Sequence, residues 1–250
     1  MPQLKAYHRP PSVDEALHLL ARPDTNTAIV GGGTHIVAHM PELVDEVVDL
    51  QGIARLQNVA FTGTQLILGS MVRLQTLVDD DHSPDLLRET ARREGPNTVR
   101  NTATVGGTII GADKDSELLA ALLVYEAEVQ VQTGSGISNV PLDTFLRDAP
   151  AALSGGIILS VNLTTTGQTA SDRVTRTPAD KPIVAAVARL GDDSQIRLAL
   201  CGVADTPIMV DPDNVKAAIN PPGDFRGSSE YRRQMAATLA KRVISQLSEQ

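Results

Sequence analysis

The chain has 250 residues, enough for one or two domains at roughly 100–200 residues each. Hydrophobic residues make up 42% and charged residues 21%, the balance of a globular chain. A net charge of −8, three Phe, three Tyr and no Trp leave neither the basic face nor the stacking rings of a nucleic-acid binder.

The opening MPQLKAYHRPPSVDEALHLL has no apolar h-region, so no signal peptide is expected and the chain is expected in the cytoplasm. Nor does any stretch approach the ~18 apolar residues of a membrane span. Ser12 and Glu15 form a capping box for a short helix, with Ala16, Leu17, Leu19 and Leu20 as its apolar face, ending near Arg22. After a turn over 24–26, residues 27–30 read as a buried strand. Three glycines follow, then a helical turn carrying Ile36, Val37 and Met40 that Pro41 stops. Further strands are expected over 43–50 and 65–69, and a helix begins at 74–78.

Residues 84–93 form a helix whose Arg88, Glu89, Arg92 and Arg93 read as a solvated face, and Gly95-Pro96-Asn97 breaks the chain. A compact helix over 116–124 precedes an alternating strand over 128–133. Past Phe145 the composition turns to Ala, Pro and Gly over 148–156. Strands over 157–163, 183–190 and 196–203 then look like one antiparallel set, the last two joined through Gly191-Asp192-Asp193-Ser194. After the linker Pro221-Pro222-Gly223, Ser229 caps a final helix striped by Tyr231, Met235, Leu239, Val243 and Leu247. Cys201, the only cysteine, excludes an internal disulfide and any cysteine-ligated iron–sulfur cluster, and reads as a small buried hydrophobe.

The stretch AIVGGGTHIVAHM, residues 28–40, moves from β-branched residues through three glycines into an amphipathic run. Such a strand–turn–helix can lay bare N–H groups around an anion, with Gly31, Gly32 and Gly33 admitting a phosphate and Thr34 adding a hydroxyl. No clustered Lys or Arg accompanies it, so amides would have to hold the charge. Neither G-x-G-x-x-G nor a P-loop Lys-Ser/Thr is present. Taken alone, the glycines fit a tight turn without function equally well. A second bare-backbone stretch, RNTATVGGTI at 100–109, makes a pair suited to a dinucleotide whose two phosphates are cradled from both sides.

With VDL at 48–50 and ILGSMVRLQTL at 67–77, this pair resembles the FAD-binding medium subunits of the molybdenum hydroxylases, of carbon monoxide dehydrogenase and xanthine dehydrogenase type. The resemblance extends to PPSVDEALHLL at the start, RVTRTPADKPIVAA at 173–186 and ALCGVADTP at 199–207. It implies an α+β fold. A two-part α/β FAD-binding domain, PCMH-like, would span 1–150 (subdomains about 1–55 and 56–150), and a smaller domain with an antiparallel sheet and packed helices would span 151–250. Carried over residue by residue, Ile29, Val30, Gly31, Gly32, Gly33, Thr34, His35 and Ile36 would wrap the FAD pyrophosphate, Gly31 standing for the family's Ala. The family's T-x-G-G-N falls on Thr104, Val105, Gly106, Gly107 and Thr108, with Thr in place of Asn. A family Asp that contacts the cofactor falls on Glu117, and Lys114 replaces the usual Pro before it. Ser171 or Asp172 stands where the family often has an aromatic, followed by Arg173 as a charge near the flavin, and Ile158 falls where an apolar residue touches the ring.

Other constellations read more plainly. His35 and His39 have a metal-capable i, i+4 spacing, but Ile36 stands where a zinc protease needs Glu and no third ligand is near, so no metal site is expected. Asp79-Asp80-Asp81-His82 is a polar turn, and Asp113, Asp115 and Glu117 suit a helix N-terminus. No Ser–His–Asp arrangement stands out, and no catalytic acid or base is required.

The resemblance therefore implies an electron-transfer subunit with FAD as its cofactor. Its partners would be a large molybdopterin subunit and a small iron–sulfur subunit, and its acceptor NAD, a quinone or oxygen. A scaffold of the same fold that has lost FAD is the rival reading, fed by Thr108, Glu117 and Ser171. A free-standing flavin reductase of the related cell-wall type is a third.

Overall fold

A computed structural model describes residues 4–39, 41 and 43–248. Two compact units share the chain, and their segments alternate along it. The first comprises residues 1–76, 97–111 and 128–162, and the second 77–96, 112–127 and 163–250.

In the first unit, β1 (Ala6–His8), β2 (Thr27–Val30) and β3 (Glu46–Asp49) form a parallel sheet in the order β1-β3-β2. The helix α1 (Val13–Leu20) begins as its capping residue dictates, with the Ser12 hydroxyl accepting from the Glu15 amide at 3.2 Å. Its Val13 and Ala16 join Val48, Leu50, Ile53 and Leu56 in a core cluster. Pairing on one side only leaves β2 at the edge, so its four residues are half-buried rather than buried as expected. The strand expected over 43–50 is the shorter β3, central and largely buried. Met40, placed in the turn after the glycines, lies outside the described residues.

A five-stranded sheet of order β4-β5-β8-β6-β7 accompanies it, built from β4 (Val59–Thr62), β5 (Gln65–Gly69), β6 (Glu128–Thr133), β7 (Gly136–Pro141) and β8 (Ile157–Thr164). Here one expectation is corrected. The strand at 157–163 does not join the strands after residue 180 but lies between β5 and β6, antiparallel to β6. Alternation marks a residue as strand without saying which strand it pairs with. The helices α2 (Leu74–Asp79), α4 (Asn97–Arg100), α5 (Val105–Gly111), α7 (Leu142–Arg147) and α8 (Ala149–Leu153) connect these strands.

The second unit is organised on an antiparallel sheet of order β12-β11-β10-β9, from β9 (Gln168–Val174), β10 (Val184–Leu190), β11 (Ile196–Cys201) and β12 (Ile208–Val210). The strands expected at 183–190 and 196–203 pair as anticipated, Ala185 opposite Cys201 through to Leu190 opposite Ile196. Val184, Ala186, Ala188, Leu198 and Leu200 pack against Ala236, Leu239, Ala240 and Val243 of α10 (Ser229–Ser248). The alternate residues Ala185, Val187 and Cys201 face the other way and are equally buried, because α6 (Glu117–Val124) covers that side. Such a doubly covered strand reads as a continuous apolar run, and every residue of α6 is buried in turn. The charged helix α3 (Asp85–Arg93) packs on α6, and α9 (Val215–Ala218) precedes α10.

Two details of the second unit depart from expectation. Ser228, not Ser229, heads the final helix, its hydroxyl accepting from the Tyr231 amide at 3.2 Å. The charged face of α3 is not wholly solvated, since Arg93 reaches the buried Glu117 at 3.0 Å. Cys201 is fully buried, and burial pushes its thiol well above the ordinary range, in keeping with an inert hydrophobe.

Candidate functional site

The two glycine stretches meet in the first unit around a cavity of about 480 Å³, within the usual size of ligand pockets, ~300–1,000 Å³. Ile29, Gly31, Gly32, Gly33, Thr34, His35 and Ile36 line it from one side. Thr104, Gly106 and Gly107 line it from another, and Ile158 closes part of the wall. Val30, Val105 and Thr108 flank these residues without lining the cavity.

The glycines have reasons of their own. A Cβ on Gly32 would stand 1.7 Å from the carbonyl oxygen of Thr102, so the two stretches touch main chain to main chain there. Gly33 has φ +78°, the left-handed region that L side chains rarely occupy. Gly31 is less constrained: a Cβ would meet only the side chains of Thr104 at 3.2 Å and Met71 at 3.5 Å. Gly32 is thus required by packing and Gly33 by its backbone conformation, before any ligand is considered.

The hydrogen-bonding capacity of the two stretches also differs. Past Gly31, whose carbonyl accepts from Gln51 Nε2 at 3.3 Å, the amides of Gly32, Gly33, Thr34, His35 and Ile36 donate to no main-chain carbonyl among the described residues. The turn closes behind them where the Val37 amide donates to Gly33. In the second stretch the amides of Val105 to Thr108 are already bonded. Those of Val105 and Gly106 donate to the carbonyls of Val72 and Ser70 at 2.9 and 2.8 Å. That of Gly107 donates to Thr104 Oγ1 at 3.1 Å, and that of Thr108 to the Thr104 carbonyl. The Thr108 hydroxyl donates to the same carbonyl at 3.0 Å. Bare amides are expected on both sides; Gly32 to Ile36 fit that, whereas Val105 to Thr108 do not, because they begin a helix stitched to the residues after β5.

Several lining residues carried no sequence signal strong enough to find them. Leu20, Leu50, Met71, Ile110 and Ile157 make the walls apolar. Gly155 and Gly156 also line the cavity, and the Ala/Pro/Gly-rich stretch before Ile157 was the visible hint. Thr27 and Ser70 line it as well, and Thr27 Oγ1 and Ser70 Oγ are buried without any hydrogen-bond partner. No Lys, Arg, Asp or Glu lines the cavity among the described residues. His35 stacks on His39 with ring centroids 4.6 Å apart, and no group of three metal-capable side chains exists among the described residues.

Glu117 and Arg173 belong to the second unit. Glu117 opens α6 behind Ser116 and is 1% exposed. Its two carboxylate oxygens accept from Arg93 Nη1 at 3.0 Å and Arg173 Nη1 at 2.8 Å. Arg173 also donates to the carbonyls of Pro178 and Asp180. Both residues therefore already serve an internal ion-pair network.

The cavity combines apolar walls with a turn whose amides lack main-chain partners among the described residues, and two of its lining residues carry buried, unpartnered hydroxyls. A family model described as the FAD-binding domain in molybdopterin dehydrogenase matches residues 2–164. The uncharacterised protein YgfM of Escherichia coli K12 is 30% identical, with 94% of this chain and 93% of that protein covered. The xanthine dehydrogenase FAD-binding subunit of Escherichia coli O157:H7 is 25% identical over 96% of this chain and 95% of its own. In fold, the chain superposes on a structure of carbon monoxide dehydrogenase from Hydrogenophaga pseudoflava with TM-score 0.87 at 22% identity, covering 98% of this chain and 97% of that one.

Proposed function

Because the chain belongs to the family of FAD-binding domains in molybdopterin dehydrogenases, we propose that it is the FAD-carrying subunit of a molybdenum hydroxylase complex. In this reading it passes electrons from the iron–sulfur clusters of a small partner subunit to an external acceptor such as NAD, a quinone or oxygen. The substrate would be oxidised on a large molybdopterin subunit. In this reading the chain alone would carry out no substrate chemistry.

The observation that carries the proposal is the convergence of both glycine stretches on one cavity, where the amides of Gly32 to Ile36 donate to no main-chain carbonyl among the described residues. A hydrogen bond to a charged group contributes ~1.5–3 kcal/mol, so two or three such amides suffice to hold a diphosphate without any Lys or Arg. FAD bound there supplies one- and two-electron redox chemistry, while the protein supplies binding, orientation and electrostatics. Gly31 to Ile36 hold the anion, Thr104 positions Gly107 through its hydroxyl, and Ile29, Ile157 and Ile158 exclude water from the walls. Glu117 and Arg173 act on the second unit, where Arg173 is a fixed positive charge held by Glu117.

Purified full-length protein tests this directly. A yellow preparation with flavin absorbance, or a colourless one that takes up FAD and melts at a higher temperature, is expected. At a free FAD concentration of 100 times Kd the gain is about 2.7 kcal/mol.

The rival, a scaffold that has lost FAD, draws on one observation: the amides of Val105 to Thr108 are all bonded within the protein. A colourless protein that takes up no FAD decides for it. Co-purification with large and cluster-bearing subunits separates the lead from a free-standing reductase.

A further inference from the structure

Ser70 and Thr27 stand out among the residues around the cavity because the fold uses their main chains and leaves their hydroxyls idle. The Ser70 amide donates to the Leu159 carbonyl at 2.9 Å, and the Ser70 carbonyl accepts from Gly106 at 2.8 Å. Its side chain is buried, the residue being 3% exposed, and Ser70 Oγ has no partner. Thr27 begins β2, whose ladder with β3 holds its main chain, and Thr27 Oγ1 is likewise buried and unpartnered. A buried hydroxyl without a partner costs stability, so Ala at 70 or Val at 27 would serve the fold alone better.

Both residues line the same cavity. We propose that they are cofactor-binding donors: Ser70 Oγ to the diphosphate of FAD, and Thr27 Oγ1 to one nucleoside half. This rests on the FAD-binding reading above and deepens it. The amides of Val105 to Thr108, along one wall of the site, are all bonded within the protein. Ser70 abuts that wall, since a Cβ on Gly106 would lie 2.9 Å from Ser70 Cβ. Its hydroxyl is a side-chain donor beside those bonded amides. Thr27 lies four residues before Gly31 along extended chain, roughly 13 Å away. That is too far for one phosphate group to reach both, which assigns Thr27 to a sugar or ring beyond the diphosphate.

The test is equilibrium binding of FAD and of ADP, a diphosphate probe, to the apo full-length chain, together with the thermal midpoint of each apo protein. Ser70→Ala is expected to bind both FAD and ADP about tenfold more weakly, with an apo midpoint equal to or above wild type. Thr27→Val is expected to weaken FAD binding several-fold while Thr27→Ser keeps it. A merely structural hydroxyl gives the opposite pattern, a lowered apo midpoint with FAD affinity kept. The assignment is overturned if Ser70→Ala binds FAD as wild type does, or if its weaker binding comes with a lowered apo midpoint. For Thr27, a Val variant with unchanged affinity does the same. Wild-type protein that binds neither probe removes the FAD-binding reading itself, and this assignment falls with it.

Discussion

Gly32 and Thr102 approach so closely that a single methyl group on the glycine would lie 1.7 Å from the Thr102 carbonyl oxygen and 3.1 Å from the Ala103 nitrogen. The obstacle is main chain, which no rotamer change can clear. The close approach ties the first glycine turn to the loop that leads into the second, and the shape of the cavity depends on it.

Gly32→Ala is therefore expected to lose about 1–3 kcal/mol or more of stability through overpacking, together with most FAD uptake. Gly31→Ala should fold normally, within about 1 kcal/mol of wild type, since its Cβ meets only the adjustable Thr104 and Met71 side chains. Urea denaturation of the two variants side by side measures the contrast. Equal midpoints would sink the packing argument.

Glu117, 1% exposed, is the shared acceptor of Arg93 and Arg173. Removing one member of a buried ion pair strands the others, at about 3–5 kcal/mol in comparable cases. Glu117→Ala is expected near the lower end, because Arg93 keeps some access to solvent and to Glu89. Glu117→Gln should lose less, since its amide oxygen still accepts. Denaturant midpoints of the pair check the order.

Arg232 is 2% exposed, donates to the carbonyls of Ile183 and Gly202, and pairs with Asp224 at 2.7 Å. Burial by itself would raise Asp224, but the hydrogen bonds from Arg232 and Arg226 outweigh it and hold the carboxyl well below its ordinary value of 3.8. An unfolded chain at pH below 3.8 binds the proton that the folded one refuses, so this stabilisation is present above that pH and lost as pH falls through the depressed value. Asp224→Asn is expected to be less stable at pH 7 and to show a shallower loss of stability between about pH 4 and pH 2. Unfolding free energy measured across that window for both proteins gives the comparison. Parallel curves would show that Asp224 contributes nothing to acid sensitivity.

Much of the local structure was legible because its causes are local. The Ser12 cap and its helix, the strands at 27–30, 65–69 and 128–133, and the helix at 117–124 follow from capping chemistry and apolar periodicity within a few residues. The membership of β8 was not legible, since Ile157 to Leu163 alternates as well for one sheet as for another. Nor was Arg232, a cation inside an apolar helix face, where only the converging carbonyls of Ile183 and Gly202 explain its place.

The site divides along the same line. Glycines at 31–33 and 106–107 announce themselves by type, and their resemblance to a known pair named the family that the match over residues 2–164 bears out. Which of their amides remain free, why Gly32 must lack a side chain, and that Ser70 and Thr27 bring buried, unpartnered hydroxyls to the lining of one cavity were decided only by the tertiary structure. The physical reason is the range of the interactions. Propensity, capping and backbone freedom are properties of neighbours in the chain. A carbonyl 1.7 Å from an imagined methyl, or a hydroxyl with no partner, exists only when segments distant in sequence have met.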